Sequence, residues 1–125
     1  MKKIIAIDQG TSSTRAILFD ETLQILSIDS EKIESQFPKS GWVEQNPSDI
    51  IASVIKTVKS VIDNDVVALG ITNQRETVVM WDRESGIPIY NAIVWQDRRT
   101  DKVCKKLKSR GYQDLVEERS GLLLD

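Results

Sequence analysis

Two polar stretches, each placed directly after an apolar run, contain the side chains best suited to chemistry. The first is Asp8-Gln9-Gly10-Thr11-Ser12-Ser13-Thr14-Arg15. Its glycine lets the backbone approach a ligand, and the N–H groups of such a link form an anion-binding concavity. Its hydroxyl groups and Arg15 can donate to phosphate oxygens, and Asp8 is placed to hold Mg²⁺ through water. The P-loop pattern GxxxxGK[ST] is missing, and a hydroxyl-rich hairpin turn explains these residues equally well.

The second stretch, Asn73-Gln74-Arg75-Glu76, follows the apolar run Val66–Ile71, which has the composition of a strand buried on both faces. Ligands of open α/β sheets bind beyond the carboxyl ends of strands, where this run would deliver its polar residues. Arg75 supplies donors and Glu76 supplies acceptors, so a polyol hydroxyl, which is both, can be held between them. The alternative is an internal Arg–Glu pair exposed at the strand end.

A third polar stretch, Trp95-Gln96-Asp97-Arg98-Arg99, ends another apolar run. Trp95 can pack on the CH face of a small polyol, while Asp97 is predicted to cap the helix that follows. The alternative for Trp95 is a core aromatic. For Arg98 and Arg99 we expect a solvated first helical turn.

The composition excludes several classes of function. The chain has 125 residues, 40% of them hydrophobic and 29% charged, which fits one domain with a modest core. Its net charge of −2 argues against a nucleic-acid or acidic-membrane partner, and no apolar run approaches the roughly 20 residues of a membrane span. Histidine is absent and Cys104 is the single cysteine, which excludes histidine-based catalysis, most zinc sites and an internal disulfide. We expect a cytoplasmic protein with Cys104 as a packing residue.

The apolar periodicity predicts an α/β fold in which a meander of strands is followed by a helix crossover. Asn46 and Pro47 mark a helix start as N-cap and first helical residue, and Gly111 is a predicted C-cap. The helix after Pro47 has apolar residues at helical spacing, Ile50, Ile51, Val54, Ile55, Val58, Val61 and Ile62. The predicted strands cover 3–8, 14–20, 24–33, 66–72, 77–81 and 87–95, with a loop at 34–46, a hairpin turn at 83–86 and a second helix at 98–110. The final SGLLLD contains no terminating signal.

Taken together, these motifs resemble the N-terminal part of the glycerol kinases, within the FGGY family of carbohydrate and polyol kinases. The resemblance rests on AIDQGTSSTRAILFD, FPKSGWVEQNP, GITNQRET and GIPIYNAIVWQDRRT, which follow the family's order along essentially the whole chain. It implies an actin-like, ribonuclease-H-like ATPase domain with a mixed sheet. Residues 1–125 would form an incomplete FGGY N-terminal domain, lacking its C-terminal end and the second, ATP-binding domain.

The resemblance also implies roles for particular residues. Phosphates of ATP would contact Gly10, Thr11, Ser12 and Ser13, with Arg15 helping to bind the nucleotide and Asp8 beside Mg²⁺. Glycerol hydroxyls would bind Arg75 and Glu76, with Trp95 against the carbon backbone. The reaction would transfer the γ-phosphoryl group of ATP to glycerol, giving sn-glycerol 3-phosphate.

The chain departs from the family pattern in length, and in reading TSST where TTSS is usual. The family's general-base aspartate lies beyond residue 125, so this chain contains no catalytic residue and is expected to be inactive alone. One alternative is a non-catalytic remnant that binds nucleotide, glycerol or a partner chain. Another is a ribonuclease-H-type nuclease, which would need several carboxylates converging on metal ions. The sequence leaves the oligomeric state open.

Overall fold

A four-stranded mixed sheet forms the centre of the protein, described here from a computed structural model that covers residues 1–125. Its strands are β1 (Lys3–Gln9), β2 (Ser13–Asp20), β3 (Ile25–Lys32) and β5 (Val66–Asn73), in the order β3-β2-β1-β5. The first three strands are the predicted antiparallel meander, and β5 pairs parallel with β1. Alternating apolar residues favour the strands of the meander. The turn between β2 and β3 is stabilised by the Asp20 carboxylate, which accepts from the backbone N–H groups of Thr22 and Gln24.

The helix α1 (Pro47–Val61) crosses over between β3 and β5, as the sequence predicts. Its N-cap is Asn46, whose side-chain oxygen accepts from the Ser48 backbone N–H at 3.0 Å. The core beneath the helix is a cluster of buried apolar residues, Ile5, Ile7, Ala16, Leu18 and Val61.

The face that α1 turns to the sheet differs from its apolar stripe. Ser53, Thr57 and Val61 are buried there, and the Ser53 hydroxyl lies 2.7 Å from that of Thr14 on β2. Ile51 and Ile55, which belong to the stripe, stay exposed. Small side chains bring the helix close to the strands, and periodicity alone does not report that preference.

The prediction that Val66–Ile71 is buried on both faces is wrong. Strand β5 is the edge of the sheet, and Val67, Leu69 and Ile71 are 62%, 46% and 66% exposed. The helix α1 packs over β1, β2 and β3, which leaves β5 uncovered.

A small second sheet replaces part of the predicted loop at 34–46. It pairs β4 (Glu44–Gln45) antiparallel with β6 (Ala92–Ile93). The predicted strands 77–81 and 87–95 form an irregular hairpin instead of two regular strands. A single bridge pairs Trp81 with Pro88, and another pairs Val78 with Ile93 of β6.

Two helices complete the chain, α2 (Asp101–Ser109) and α3 (Gln113–Ser120). The prediction of a helix at 98–110 is confirmed, with Gly111 in the left-handed conformation at φ +81° just beyond it. Helix α3 was not predicted. It ends at a left-handed Gly121 (φ +70°), so SGLLLD does contain a helix stop. No helix has the length and apolar character needed to cross a membrane.

Candidate functional site

An open cleft of about 450 Å³ lies at the carboxyl ends of β1 and β5. The two strands are parallel neighbours, with Asp8 beside Thr72 and Gln9 beside Asn73, so the polar residues that follow them meet at one edge of the sheet. The volume falls within the roughly 300–1,000 Å³ typical of small-molecule sites. The cleft is lined by Asp8, Gln9, Gly10, Thr11, Asn73, Gln74, Arg75, Glu76 and Trp95.

The link between β1 and β2 forms one side of the cleft and is tightly closed. The Gly10 N–H donates to the Ser13 carbonyl at 2.9 Å. A Cβ atom at Gly10 would lie only 3.1 Å from that carbonyl oxygen, a tight contact, so a side chain at this position would press on the backbone of the link. The Ser12 carbonyl accepts from the Ile33 N–H at 2.9 Å, which fastens the link to the segment after β3.

The turn after β5 forms the other side. Although it lacks glycine and proline, the chain turns at Arg75 and Glu76, with Glu76 in the left-handed region at φ +64°. Both side chains are exposed to the cleft, while the preceding Gln74 is buried. Leu23, in the turn between β2 and β3, has the same φ of +64°, so it is the position of Glu76 in the cleft that makes it a candidate binding residue.

Trp95 closes a third side of the cleft. Its indole Nε1–H donates to the Thr11 hydroxyl at 2.8 Å, and 53% of the residue is exposed. The alternative of a core aromatic is therefore wrong. The hydrogen bond fixes the orientation of the ring, which leaves an apolar face available to a ligand.

Asp97 does not cap α2, contrary to the sequence prediction. The helix begins after Thr100, and the Asp97 carboxylate instead accepts from the backbone N–H of Val43 and Arg99 and from the Arg99 guanidinium. The hydrogen bond from the Arg99 side chain is the main reason why the pKa of Asp97 falls to about 2.

Arg99 is also not the solvated residue that the sequence predicts, whereas Arg98 is exposed. The Arg99 guanidinium bonds to Glu44 and Asp97 and stacks 3.8 Å above the Trp42 ring. Hydrogen bonds from Asn91 and then Arg99 lower the pKa of Glu44. These contacts join the loop before β4 to the segment that positions Trp95.

The structure brings six of the predicted site residues to the cleft, Asp8, Gly10, Thr11, Arg75, Glu76 and Trp95. Ser12, Ser13 and Arg15 do not line it. Ser12 and Ser13 continue the link, and Arg15 stands opposite Asp8 across the β1–β2 pair, on the same face of the sheet.

Sequence reasoning gave no role to four amides at this site. Gln9, Asn73 and Gln74 line the cleft, and Gln45 lies fully buried behind it. The signal available for Gln9 and Asn73 was their position at the ends of adjacent parallel strands. The burial of Gln45 depends on the β4–β6 pairing, for which the sequence gives no local pattern.

The carboxylates of the cleft suit a hydrated magnesium ion rather than a protein-built metal cage. No group of three or more His, Cys, Asp or Glu side chains is arranged to hold a metal. Magnesium is commonly held by one or two carboxylates together with waters and substrate phosphates, and Asp8 lies beside the link whose N–H and hydroxyl groups suit phosphate. The several converging carboxylates that a two-metal nuclease needs are missing.

Comparisons with known proteins identify the family of the chain. The family model for the N-terminal domain of the FGGY family of carbohydrate kinases matches residues 3–125. Glycerol kinase from Rhizobium meliloti is 55% identical over 98% of this chain, and glycerol kinase from Listeria monocytogenes is 46% identical over 99% of it. The chain spans 26% of the length of these curated relatives.

Solved structures give the same result. Plasmodium falciparum glycerol kinase with ADP superimposes with a TM-score of 0.87 at 32% identity, over all of this chain and 26% of the other. Gluconate kinase from Lactobacillus acidophilus shares the fold, with a TM-score of 0.89 at 22% identity over 98% of this chain and 25% of that one. The fold is thus the actin-like ATPase fold of these kinases, and the chain belongs to the FGGY family of carbohydrate kinases.

Proposed function

We propose that these 125 residues form the glycerol-binding and phosphate-binding wall of a kinase that transfers the γ-phosphoryl group of ATP to glycerol, giving sn-glycerol 3-phosphate. One observation carries the proposal: the Arg75–Glu76 turn and the Gly10–Thr11 link face each other across one cleft. The similarity of the chain to glycerol kinases supports glycerol as the polyol.

On the polyol side, Arg75 would donate to glycerol oxygens and the Glu76 carboxylate would accept from glycerol hydroxyls. Trp95 would pack against the carbon backbone, since its ring is already held by Thr11. A ligand gripped on three sides presents one terminal hydroxyl in a fixed direction, and such positioning is a major part of catalysis in phosphoryl transfer.

On the phosphate side, the phosphates would contact Gly10 and accept hydrogen bonds from the hydroxyl groups of Thr11, Ser12 and Ser13, with Arg15 adding positive charge. Asp8 would hold Mg²⁺ through water, and the ion would neutralise charge on the phosphates when bound. Phosphate oxygens and the polyol hydroxyl would then lie within one cleft, as in-line transfer requires.

We further propose that the general-base aspartate and the adenosine-binding domain belong to parts of the fold outside these residues. A single wall then binds ligands weakly and does not transfer phosphate, because a two-domain cleft cannot close around the substrates. The single cysteine favours a reducing cytoplasm as the setting.

Calorimetry with glycerol and propane-1,2-diol tests the polyol site. We expect saturable binding of glycerol, weaker binding of the diol because one hydroxyl partner is missing, and loss of both in Arg75→Met. Arg83→Met, an exposed arginine outside the cleft, is the matched control. Equal affinity for both ligands, or normal glycerol binding by Arg75→Met, would refute the assignment.

A coupled assay for ADP formation tests the missing base. The 125-residue chain with Mg·ATP and glycerol is expected to give no glycerol-dependent turnover. Robust turnover would contradict the placement of the base elsewhere.

A further inference from the structure

A closed ring of hydrogen bonds joins the two sides of the cleft through its buried rear wall. Gln45 Nε2 donates to the Thr11 carbonyl at 2.7 Å, and Gln74 Nε2 donates to Gln45 Oε1 at 2.9 Å. The Thr77 hydroxyl donates to Gln74 Oε1 at 3.0 Å and accepts from the Trp95 backbone N–H at 3.2 Å. The Trp95 indole returns to the Thr11 hydroxyl at 2.8 Å and closes the ring.

The two glutamines at the centre of the ring are almost inaccessible to solvent. Gln45 is 0% exposed and Gln74 is 7% exposed. Their remaining donor capacity is also used, since Gln45 bonds to the Ser35 hydroxyl at 3.0 Å and Gln74 to the Gly10 carbonyl at 3.1 Å. Buried amides lose free energy when they lose a partner, so neither glutamine can shift alone without leaving a buried polar atom unsatisfied.

The ring connects segments that are far apart along the chain. Gln74 directly precedes Arg75, and Gln45 and Gln74 both bond to carbonyls of the Gly10–Thr11 link. The turn, the link and Trp95 are therefore fixed relative to one another by side chains that do not depend on any ligand.

We propose that Gln45, Gln74 and Thr77 are positioning residues that hold the Arg75–Glu76 turn in a fixed register with the Gly10–Thr11 link. Resting on the proposed function, this inference adds that the ring holds both walls of the cleft in the geometry that their ligands need before either ligand binds.

The ligand-free test uses hydrogen exchange at the Trp95 indole N–H. Thr77→Val removes the hydroxyl with almost no change in shape and breaks the ring at one point, whereas Thr77→Ser keeps the hydroxyl. We expect indole exchange about tenfold or more faster in Thr77→Val. Indole exchange should match the wild type in Thr77→Ser and in Gln24→Met, which changes an exposed glutamine in the β2–β3 turn. Equal exchange in Thr77→Val and Thr77→Ser would overturn the proposal.

The second arm follows amide signals during titration with glycerol. In the wild type we expect both Arg75 and Thr11 to shift, because both residues line the cleft. In Thr77→Val both signals should still respond, but with an affinity for glycerol about three- to tenfold weaker, whereas Thr77→Ser should bind like the wild type. An unchanged affinity for glycerol in Thr77→Val would refute the positioning role.

The two arms separate this inference from the proposed function. If glycerol moves no signal in the wild type, the proposed function is wrong, and the positioning role is decided by indole exchange alone. Gln74→Met is a second variant that removes the central amide. Faster indole exchange and weaker glycerol binding in Gln74→Met, as in Thr77→Val, would support the ring. Indole exchange and glycerol binding equal to the wild type would exclude the ring.

Discussion

The Asp97 carboxylate provides a quantitative test of how the segment that bears Trp95 is held. Its hydrogen bonds, chiefly from the Arg99 side chain, lower its pKa from 3.8 to about 2. One pKa unit corresponds to about 1.4 kcal/mol, so the ionised group contributes about 2.5 kcal/mol to the free energy of unfolding at neutral pH. Asp97→Asn removes that contribution, and we expect the variant to be about 2–3 kcal/mol less stable at pH 7.

The pH dependence gives the sharper part of this prediction. Because the pKa of Asp97 is lowered in the folded state, its contribution is complete above the ordinary pKa of an aspartate and is lost as the pH falls towards about 2. The difference between wild type and Asp97→Asn should therefore shrink to about 1.3 kcal/mol at pH 3.

Urea denaturation followed by tryptophan fluorescence at a series of pH values between 7 and 3 measures both quantities. Glu118→Gln, at an exposed carboxylate of α3, is the matched control and should not change stability beyond about 0.5 kcal/mol. A loss below about 0.5 kcal/mol in Asp97→Asn at pH 7, or a loss that is the same at pH 7 and pH 3, would refute the reasoning.

Four further changes test other parts of the structure. Asn46→Ala removes the N-cap of α1 and should lower the free energy of unfolding by about 1 kcal/mol in urea titrations, whereas no loss would contradict the cap. Glu76→Gly should abolish glycerol binding in calorimetry but change stability by less than about 1 kcal/mol, because glycine accepts the φ of +64° at this position. Gly10→Ala should weaken Mg·ADP binding about tenfold or more, because the alanine Cβ would lie 3.1 Å from the Ser13 carbonyl. Unchanged Mg·ADP binding would show that the link tolerates a side chain. We expect the exposed apolar edge strand β5 to promote self-association, which Leu69→Lys should reduce in sedimentation velocity; equal association of both proteins would exclude this edge as the cause.

The sequence predicts those elements of the fold that depend on local patterns. Alternating residues define β1 to β3, and Asn46 with Pro47 marks the start of α1, so these elements lie within a residue or two of their predicted bounds. Burial was predicted less well, because it depends on which elements cover a surface. The composition of β5 is that of a fully buried strand, yet the strand is an exposed edge.

The candidate site shows the same difference between features set by local sequence and features set by long-range contacts. Asp8, Gly10, Arg75 and Glu76 follow apolar runs, and that position marked each of the two stretches as a candidate binding site. The structure shows that both stretches line one cleft. The roles of Asp97, Arg99 and Gln45 arise from contacts with residues far away in the sequence, which no local pattern reports.

The most direct test of the central claim is the amide proton–nitrogen spectrum of the isotopically labelled chain, recorded during titrations with glycerol and, separately, with Mg·ADP. We predict dispersed signals, with glycerol moving Arg75, Glu76 and Trp95 and Mg·ADP moving Gly10 to Ser13. Dispersed signals that respond to neither ligand, or that respond only at residues outside the cleft, would contradict a cleft built for glycerol on one side and phosphate on the other.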